Sequence, residues 1–434
     1  MIESRTATVD VIGLGYVGLP LSIALTDSEY NVIGLDVDVS KVYELNSGIS
    51  RIEAVPSKSL CAALERKKFT ATTDFSCISD CNVIIICVPT PLTEDKQPDT
   101  TFINSACTQI SKNLRAGQLI VLESTSYPGT TEELVKPLLE ASGLLVEADI
   151  FLAFSPERED PGNKSFNTKN IPKVVSGYRE FSTQLATAFY SSFLSDVVPV
   201  RNLRTAEAVK LTENTFRAVN IGLINELKIA FDAMDIDIWE VVEAATTKPF
   251  GYMPFYPGPG LGGHCIPVDP HYLNWKAKTF HRPIRIIEVA GQVNQAMPTY
   301  VLEKTAKALE SHKGLELSKS SILIVGVSYK ENIADTRESP ALEIISRLIG
   351  AGATVHYTDP HVDEIVINTT GAKSSLIRSV STVKIIHTQY DAIILVTDHD
   401  DFDYSAISGG KPIIVDTRNA ARKRNLSSDI IIRA

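Results

Sequence analysis

The sequence predicts an α/β fold with two Rossmann-like, doubly wound parallel-sheet domains joined by a helical middle domain. Short apolar runs alternate with helical patterns at both ends of the chain, which is typical of parallel sheets covered by helices. Between them, residues 205–234 keep a helical apolar pattern without proline, which predicts one long connecting helix. A chain of 434 residues is also too long for one ordinary domain. We expect domains over residues 1–200, 201–312 and 313–434.

The predicted strands lie in the first and last domains. In the first domain they cover residues 8–13, 32–36, 82–88, 118–123 and 150–153. In the last domain they cover residues 321–327, 354–357, 391–396 and 412–415, with a helix over 341–348. Helical patterns fill the middle domain to about residue 309, interrupted by a loop over residues 249–270.

Composition limits the possible partners and location. The net charge of −10 argues against nucleic acid or an anionic membrane as the main partner, but it does not exclude an anionic substrate. Six cysteines without metal-type spacing fit a reducing cytosol, and Cys81 and Cys87 fit packing positions in an apolar run. The histidines are scattered, so no metal site is expected. Neither a signal peptide nor a membrane-length apolar run is visible, and we expect a cytoplasmic protein.

A glycine motif follows the first strand and opens a helix. Its glycines are Gly13, Gly15 and Gly18, and Asp36 ends the next strand 18 residues after the last of them. This context is typical of a dinucleotide site in which the pyrophosphate meets the helix N-terminus and the carboxylate binds the ribose. A carboxylate there repels a 2′-phosphate, so NAD is favoured over NADP. A plain strand–turn–helix glycine cluster is the alternative. The predicted cofactor contacts here are Gly13, Gly15, Tyr16, Val17, Gly18 and Asp36.

Other polar residues follow strands at the same edge of the first sheet. Thr90 and Thr125 each offer a hydroxyl at the crevice where open α/β sheets bind ligands, although the chemistry of turns explains either residue almost as well. Glu157, in the segment Ser155-Pro156-Glu157-Arg158, fits a general base for water or a hydrogen-bond partner for a sugar. The alternative for Glu157 is a solvated loop carboxylate.

The long helix carries Lys210 and Asn214 one turn apart and therefore on one face. If Lys210 is buried, its ammonium could stabilise negative charge that develops on a reacting oxygen. The alternative is a lysine that extends to solvent. Asp269 precedes Pro270 and a helical run, as an N-cap does before a proline at the first helical position. A catalytic carboxylate is the other reading of Asp269, and both can hold.

A loop rich in glycine and proline over residues 258–270 contains Cys265. Glycines allow close approach to a ligand and prolines restrict the loop, so a thiol held there could attack a carbonyl carbon. The alternative is a cysteine that packs as a small hydrophobe. His264 is its neighbour, but adjacent side chains in an extended loop point apart. We therefore expect His264 to be a substrate or structural contact.

In the last domain, residues 328–340 replace a glycine-rich turn with a segment that carries Lys330 and Arg337. Cations at a strand end that faces a helix N-terminus suit phosphate groups. A surface loop of mixed charge is the alternative.

Together these motifs resemble those of the nucleotide-sugar 6-dehydrogenase family, and the resemblance covers nearly the whole chain. The motifs that carry it are Gly13-x-Gly15-x-x-Gly18, Glu123-Ser124-Thr125, Ser155-Pro156-Glu157-Arg158, Lys210-x-x-x-Asn214, Gly262-Gly263-His264-Cys265 and Lys330 with Asp335-x-Arg337.

The resemblance implies a four-electron oxidation at C6 of the sugar with two NAD in succession. It implies that Cys265 traps the aldehyde as a thiohemiacetal and then holds a thioester, that Lys210 and Asn214 stabilise the oxyanion, and that Asp269 assists the base chemistry. Thr125 and Glu157 would position water and substrate. The last domain would bind UDP, and the long helix would form a homodimer. Implied cofactor contacts are Thr90, Thr125 and Arg337; implied substrate contacts are Glu157, Arg158, Lys210, Asn214, Tyr256, Gly262, His264 and Lys330.

The substrate expectation depends on the cysteine loop. The UDP-glucose branch usually continues Pro-Lys-Asp, whereas this chain has Pro267-Val268-Asp269, and residues 256–265 resemble the N-acetylhexosamine branch. We expect UDP-N-acetylglucosamine, oxidised for a surface polysaccharide such as lipopolysaccharide. The alternatives are UDP-N-acetylmannosamine or UDP-glucose as substrate, a two-electron 3-hydroxyacid dehydrogenase that needs no thiol, and a nucleotide-sugar sensor without turnover.

Overall fold

The computed structural model describes residues 1–2, 4–93, 95–158, 168–368, 374–407 and 412–434. The chain forms two compact units. The first contains Met1–Glu213 and His271–Pro283, and the second contains Asn214–Pro270 and Ile284–Ala434. The domain bounds expected at residues 200 and 312 rest on the change of pattern along the sequence and stay a prediction. Within the described ranges, no helix has the length and apolarity needed to cross a membrane.

The strands are β1 (Thr8–Ile12), β2 (Asn31–Leu35), β3 (Phe69–Thr72), β4 (Val83–Ile86), β5 (Leu119–Leu122), β6 (Phe151–Phe154), β7 (Lys173–Gly177), β8 (Val197–Pro199), β9 (Ser321–Val325), β10 (Thr354–Thr358), β11 (Glu364–Ile367), β12 (Ser375–Arg378), β13 (Ala392–Leu395), β14 (Ile413–Asp416) and β15 (Ile431–Arg433). The helices are α1 (Gly18–Asp27), α2 (Val39–Asn46), α3 (Ser57–Glu65), α4 (Thr101–Ser111), α5 (Lys136–Glu140), α6 (Glu180–Ser191), α7 (Leu203–Ala233), α8 (Ile238–Thr246), α9 (Asp269–Thr279), α10 (Arg285–Lys313), α11 (Pro340–Gly350), α12 (Thr382–His387) and α13 (Ala420–Lys423). A π-helical turn over Thr131–Val135 leads into α5.

The first unit is built on an eight-stranded sheet in the order β3-β2-β1-β4-β5-β6-β7-β8. All neighbouring strands are parallel except β6 and β7. The central strands are apolar and buried on both faces, as expected when helices cover both sides of a parallel sheet. The first six strands have the Rossmann order, which puts the switch point between β1 and β4. The predicted doubly wound fold of this region is confirmed.

The second unit contains a five-stranded parallel sheet in the order β10-β9-β13-β14-β15. This is also a doubly wound order, with its switch point between β9 and β13. A separate antiparallel pair, β11 and β12, is inserted after β10. The second Rossmann-like sheet is therefore confirmed, and helices α8 and α10 precede it in the same unit.

Several elements differ from the sequence predictions. The strands that the predictions missed are β3, β7, β8, β11, β12 and β15. Most of them are partly exposed, and the buried β7 has the sequence Lys-Val-Val-Ser-Gly, so none shows the long apolar run that marks a central strand. The long helix is confirmed as α7. An N-cap at Asp269 would make residue 270 the first helical residue, whereas α9 begins at Asp269 itself. A difference of one residue is within the usual variation of helix ends.

In the turn after β1, other backbone atoms lie very close to two of the three glycines, whereas the third glycine has open space beside it. Gly13 has φ +95°, and a Cβ there would lie 2.5 Å from the Cys87 carbonyl oxygen. A Cβ on Gly18 would lie 2.0 Å from the Gly13 carbonyl oxygen. A Cβ on Gly15 would meet nothing within 4 Å. Gly13 and Gly18 are therefore needed for the fold, whereas Gly15 leaves space at the start of α1 where a pyrophosphate can approach.

Asp10 is a buried carboxyl group in the middle of β1. It has no exposed surface, and neither carboxyl oxygen makes a hydrogen bond of ordinary geometry within the described residues. Burial outweighs the nearby N–H of Val11 and raises the pKa of Asp10 to about 8. The folded protein therefore holds a proton at Asp10 in neutral solution that the unfolded chain releases.

We expect the stability of the protein to fall with rising pH because of Asp10. Between about pH 4 and pH 8 the folded state binds one more proton at Asp10 than the unfolded chain does. The contribution of this proton to the free energy of unfolding is therefore complete below pH 4 and is lost as the pH rises to about 8. Asp10→Asn should remove this slope, which is at most about 1.4 kcal/mol per pH unit. Urea unfolding from pH 5 to pH 8 measures it. The exposed Asp80→Asn is the control, and equal slopes for wild type and Asp10→Asn would contradict the prediction.

The three glycines also give a matched test of the cofactor site. Gly15→Ala should leave the melting temperature within about 2 °C but weaken NAD binding by roughly tenfold or more, because the new methyl group occupies the space outside the turn. Gly18→Ala should instead lower the melting temperature by several degrees, about what a loss of 1–3 kcal/mol gives. Thermal melts and NAD titration calorimetry distinguish the two. Unchanged NAD affinity in Gly15→Ala would show that the dinucleotide binds elsewhere.

Candidate active site

Asp36 lies at the end of β2, beside the glycine turn, and is nearly buried. Its carboxylate accepts hydrogen bonds from the backbone N–H groups of Leu14 and Asp38, both at 3.0 Å. Lys41 adds an ion pair at 2.8 Å, a contact that the sequence did not predict. A fixed carboxylate beside an open glycine fits the ribose and pyrophosphate of a dinucleotide. The individual contacts predicted for Tyr16, Val17 and the other motif residues stay predictions.

Thr90 and Thr125 follow β4 and β5, which are adjacent parallel strands, so both lie at the carboxyl edge of the sheet. Thr90 is buried and Thr125 is half-buried. Under this edge Glu123 is buried, with the Lys173 ammonium 2.8 Å from Oε2 and the Tyr190 hydroxyl donating to Oε1. This network anchors the chain two residues before Thr125.

The loop after Thr125 is held by Glu207, a fully buried residue of α7. Glu207 accepts hydrogen bonds from Gly129 N at 2.5 Å, Thr131 N at 2.8 Å and Thr131 Oγ1 at 2.7 Å. Burial raises the pKa of Glu207 to about 7, although the three donors lower it. The carboxylate thus caps the helical turn at Thr131. Sequence reasoning missed this role, because a glutamate in a helix gives no signal of burial.

Lys210 lies one turn after Glu207 on α7 and forms a buried ion pair with Glu157. Its Nζ is 2.6 Å from Glu157 Oε2, and the two side chains are 6% and 10% exposed. Lys210 also donates to the Glu157 carbonyl oxygen at 3.2 Å. The alternatives in which Lys210 extends to solvent and Glu157 is a solvated carboxylate are therefore wrong. The adjacent Arg158 pairs with Glu213 of α7 at 2.6 Å, which ties the same loop to the same helix.

The C-terminal part of α9 packs within the first unit. Tyr272 donates from its hydroxyl to the Pro91 carbonyl at 3.0 Å, next to Thr90. Trp275 packs against Tyr127 in the loop after β5, with ring centroids 4.8 Å apart. Both contacts reach loops that contain a predicted cofactor residue.

In the second unit, Asn214 donates from Nδ2 to Asp269 Oδ2 at 2.6 Å. Asp269 is buried, and its backbone N–H donates to the Cys265 carbonyl at 2.8 Å. The structure therefore brings three predicted catalytic residues of this unit together, with Asp269 between the other two. Asp269 therefore lies at the start of helix α9, and its carboxylate also accepts a hydrogen bond from Asn214.

Polar contacts hold the cysteine loop at Gly258 and at Gly263. Asn225 accepts from Gly258 N at 3.0 Å and donates to Asn294 at 2.9 Å, and both asparagines are buried. Gly263 donates to the Arg337 carbonyl at 3.0 Å. Cys265 is half-buried, rather than fully buried as a packing cysteine would be, and is not among the residues of the hydrophobic clusters of the described part of the chain. The two asparagines were not predicted from sequence.

A cavity of about 640 Å³ opens at the switch point between β9 and β13 in the second unit. Tyr256 stacks on Trp239 at one wall, with ring centroids 5.4 Å apart and planes 17° from parallel. The predicted substrate residues in the lining are Tyr256 and Lys330. The other polar residues of the lining are Glu243, Tyr329, Glu331, Thr397, Asp398, Arg418, Asn419, Arg422 and Lys423. An aromatic surface with nearby guanidinium and ammonium groups fits a base and phosphates. Trp239 and Arg418 were missed because neither lies in a recognisable motif.

The remaining predicted contacts lie near this cavity or the cysteine loop. Gly262 is close to Tyr329, where a Cβ would lie 2.6 Å from the tyrosine Cβ. His264 is half-buried, and Arg337 pairs with Asp335 at 2.6 Å. Across the described parts of the chain, His, Cys, Asp and Glu residues do not gather into a group of three or more that could hold a metal ion.

Comparison with known proteins identifies the three parts of the chain. Residues 7–194 match the NAD binding domain of the UDP-glucose/GDP-mannose dehydrogenase family, residues 204–296 match its central domain, and residues 323–423 match its UDP binding domain.

Relatives match over nearly the full length. The UDP-N-acetyl-D-glucosamine 6-dehydrogenase of Pseudomonas aeruginosa is 38% identical over 397 residues, 91% of each chain. The UDP-N-acetyl-D-mannosamine dehydrogenase of Pyrococcus horikoshii is 34% identical over 421 residues, 96% of each chain. The solved structure of a UDP-D-ManNAc dehydrogenase from Pyrococcus horikoshii superposes with a TM-score of 0.85 at 32% identity, covering 95% of this chain and 96% of that one. The chain therefore belongs to the UDP-glucose/GDP-mannose dehydrogenase family and is an NAD-dependent UDP-sugar dehydrogenase.

Proposed function

We propose that the protein oxidises C6 of UDP-N-acetyl-D-glucosamine to the carboxylate, with Cys265 as the covalent nucleophile. The observation that carries this proposal is the environment of Cys265. Its loop is held by the buried Asn225 at Gly258 and by the Arg337 carbonyl at Gly263, its own carbonyl accepts from the N–H of Asp269, and Asp269 accepts from Asn214. A half-buried thiol in a rigid polar loop suits covalent catalysis better than packing.

Bound NAD would supply the oxidising capacity of both steps, each of which removes a hydride from the C6 carbon. The sulfur of Cys265 adds to the aldehyde formed by the first oxidation and gives a thiohemiacetal. Loss of the second hydride from that carbon leaves a thioester on Cys265. Water then displaces the sulfur, which releases the uronate and regenerates the thiol. A two-electron dehydrogenase would have no use for this residue.

Lys210 supplies the positive charge that the chemistry needs. Its ammonium is held in a low-dielectric environment by Glu157, where a charge acts more strongly on a developing oxyanion than it would in water. Asn214, one turn further along α7, is oriented by Asp269 and offers a second N–H donor. Asp269 in turn is the proposed partner for proton transfer. Thr125 and Glu157 are the proposed residues that position water and substrate.

The cavity between β9 and β13 is the proposed site for the UDP moiety. It carries the aromatic pair Trp239–Tyr256 and the cations Lys330 and Arg418. Its position at a topological switch point supports the assignment, since open α/β sheets bind ligands there. His264, Gly262 and Arg158 are proposed to contact the sugar side of the substrate, and Arg337 the cofactor.

The choice of N-acetylglucosamine is supported by names of relatives and by the cysteine loop. The two relatives named UDP-N-acetyl-D-glucosamine 6-dehydrogenase are 38% and 37% identical to this chain. UDP-N-acetylmannosamine is the second candidate, because relatives with that name are 34% and 32% identical. The uronate product would serve a surface polysaccharide, and a cytoplasmic location fits this role as a prediction.

A homodimer through α7 is also proposed. Phe216 and Leu223, seven residues apart and therefore on one face of α7, are 48% and 52% exposed and could pack against the same helix of a second subunit. Light scattering should give twice the chain mass of 47.4 kDa, and Leu223→Glu should shift it toward the monomer. A monomeric wild type would contradict the proposal.

The substrate assignment is tested by incubating the protein with NAD and a panel of UDP-sugars. We expect UDP-N-acetylglucosamine to give the highest kcat/KM and two NADH for each uronate formed. UDP-N-acetylmannosamine or UDP-glucose as the better substrate would replace the sugar assignment. One NADH per product would favour a two-electron enzyme, and UDP-sugar binding without NADH would favour a sensor.

Cys265→Ser tests the covalent step in the same assay. The variant should lose at least about 10³-fold in uronate formation and stop at an aldehyde-level or covalent species, because an alcohol is a much weaker nucleophile than a thiolate. Cys61→Ser, at another half-buried cysteine, is the control and should keep full activity. Complete turnover to the acid by Cys265→Ser would remove the thiol from the mechanism.

A further inference from the structure

His399 is a fully buried histidine in the loop after β13, and both of its ring nitrogens have partners. Nδ1 lies 2.9 Å from the backbone nitrogen of Asn332. Nε2 lies 3.1 Å from Ser328 Oγ and 3.1 Å from Asp359 Oδ2. No motif in the sequence singled out this residue.

The partners determine which nitrogen carries the proton. A backbone N–H can only donate, so Nδ1 accepts from Asn332 and carries no hydrogen. The Ser328 hydroxyl donates to the Lys330 carbonyl at 2.7 Å, so its oxygen is available to accept from Nε2–H. Asp359 also accepts from Nε2–H and from Val327 N at 2.7 Å. A neutral ring with its proton on Nε2 therefore satisfies every group in this network.

The network fixes a turn with an unusual backbone. Asn332 has φ +62°, in the left-handed region that few residues other than glycine and asparagine adopt readily. The backbone N–H of Asn332 donates to His399 Nδ1, and Asp400 N donates to the side-chain oxygen of Asn332 at 2.9 Å. The turn immediately follows Tyr329 and Lys330, which line the proposed UDP cavity.

Asp359 of the second unit corresponds to Asp36 of the first unit, but the two carboxylates have different partners. Gly326 N donates to the Thr358 carbonyl as Gly13 N does to the Leu35 carbonyl. Asp359 then accepts from the residue after its glycine, as Asp36 does from Leu14. Asp36 remains next to an open turn, whereas the ring of His399 covers Asp359 so that neither side chain has exposed surface. In the second unit the carboxylate that would bind a ribose instead orients a histidine.

We propose that His399 is a positioning residue for the UDP cavity. Its neutral ring fixes the turn at Asn332 and so determines where Tyr329 and Lys330 lie relative to the nucleotide. The inference rests on the proposed function of that cavity and extends it to a residue that does not line it.

Two substitutions separate the functions of the two ring nitrogens. His399→Asn places an amide oxygen near the position of Nδ1 and can still accept from Asn332 N. His399→Gln places its amide group near Nε2 and can donate to Asp359, but it leaves Asn332 N without its acceptor. His361→Gln is the control, since this neighbouring ring lies 5.0 Å from His399 and belongs to the loop after β10.

The readout is titration calorimetry with UDP and, separately, with NAD, followed by steady-state kinetics with the best UDP-sugar. We expect His399→Gln to raise the Kd for UDP and the KM for the UDP-sugar by tenfold or more. We expect kcat and the Kd for NAD to stay within about twofold. His399→Asn and His361→Gln should stay within about threefold of wild type. Should His399→Gln fail to fold, Asn332→Ala strains the same turn and should weaken UDP binding in the same way.

The outcomes separate this proposal from the proposed function. If wild type binds UDP and produces NADH but His399→Gln and Asn332→Ala bind UDP normally, the positioning role is wrong and the function stands. If kcat, KM and the Kd for NAD all deteriorate together, His399 has only a structural role and the proposal is also wrong. A wild type that neither binds UDP nor produces NADH would remove the proposed function and this inference with it.

Discussion

Polar side chains of helix α7, two of them buried, each hold a different neighbouring segment of the chain in place by hydrogen bonds or an ion pair. Glu207, Lys210 and Asn214 follow one another at intervals of three and four residues. Each binds a different loop: Glu207 the loop at Thr131, Lys210 the loop at Glu157, and Asn214 the start of α9 at Asp269. A buried polar group without a hydrogen bond is costly, so the loops that bind the buried Glu207 and Lys210 each have one favoured position on the helix. A helix made only of apolar contacts would hold the same loops less specifically.

Local motifs made much of the first unit predictable. The glycine turn, the strand before it and Asp36 lie close together in sequence, and each has a requirement that few other residues meet. Central strands were found because they are apolar on both faces, whereas edge strands such as β8 and β15 are short and partly exposed. The motif around Cys265 was visible because clustered glycine and proline are uncommon outside turns.

The supporting residues could not be found in this way, because their partners are distant in sequence. Glu207 contacts residues 76 and 78 positions away, His399 contacts one 67 positions away, and Asn225 pairs with a residue 69 positions away. No local pattern distinguishes these side chains from the solvated glutamate, histidine or asparagine that composition alone would suggest. The sequence could not show whether Lys210 is buried for the same reason, because its burial depends on a contact with Glu157, which lies in a loop distant in sequence.

The chain contains two tryptophans, and each reports on a different place. Trp239 stacks on Tyr256 in the wall of the 640 Å³ cavity, while Trp275 packs against Tyr127 next to the loop of Thr125. Indole emission is sensitive to stacking and to the polarity around the ring. The protein therefore contains two intrinsic fluorescent probes, and replacing either tryptophan with phenylalanine leaves a signal from only one of the two proposed ligand regions, without any attached dye.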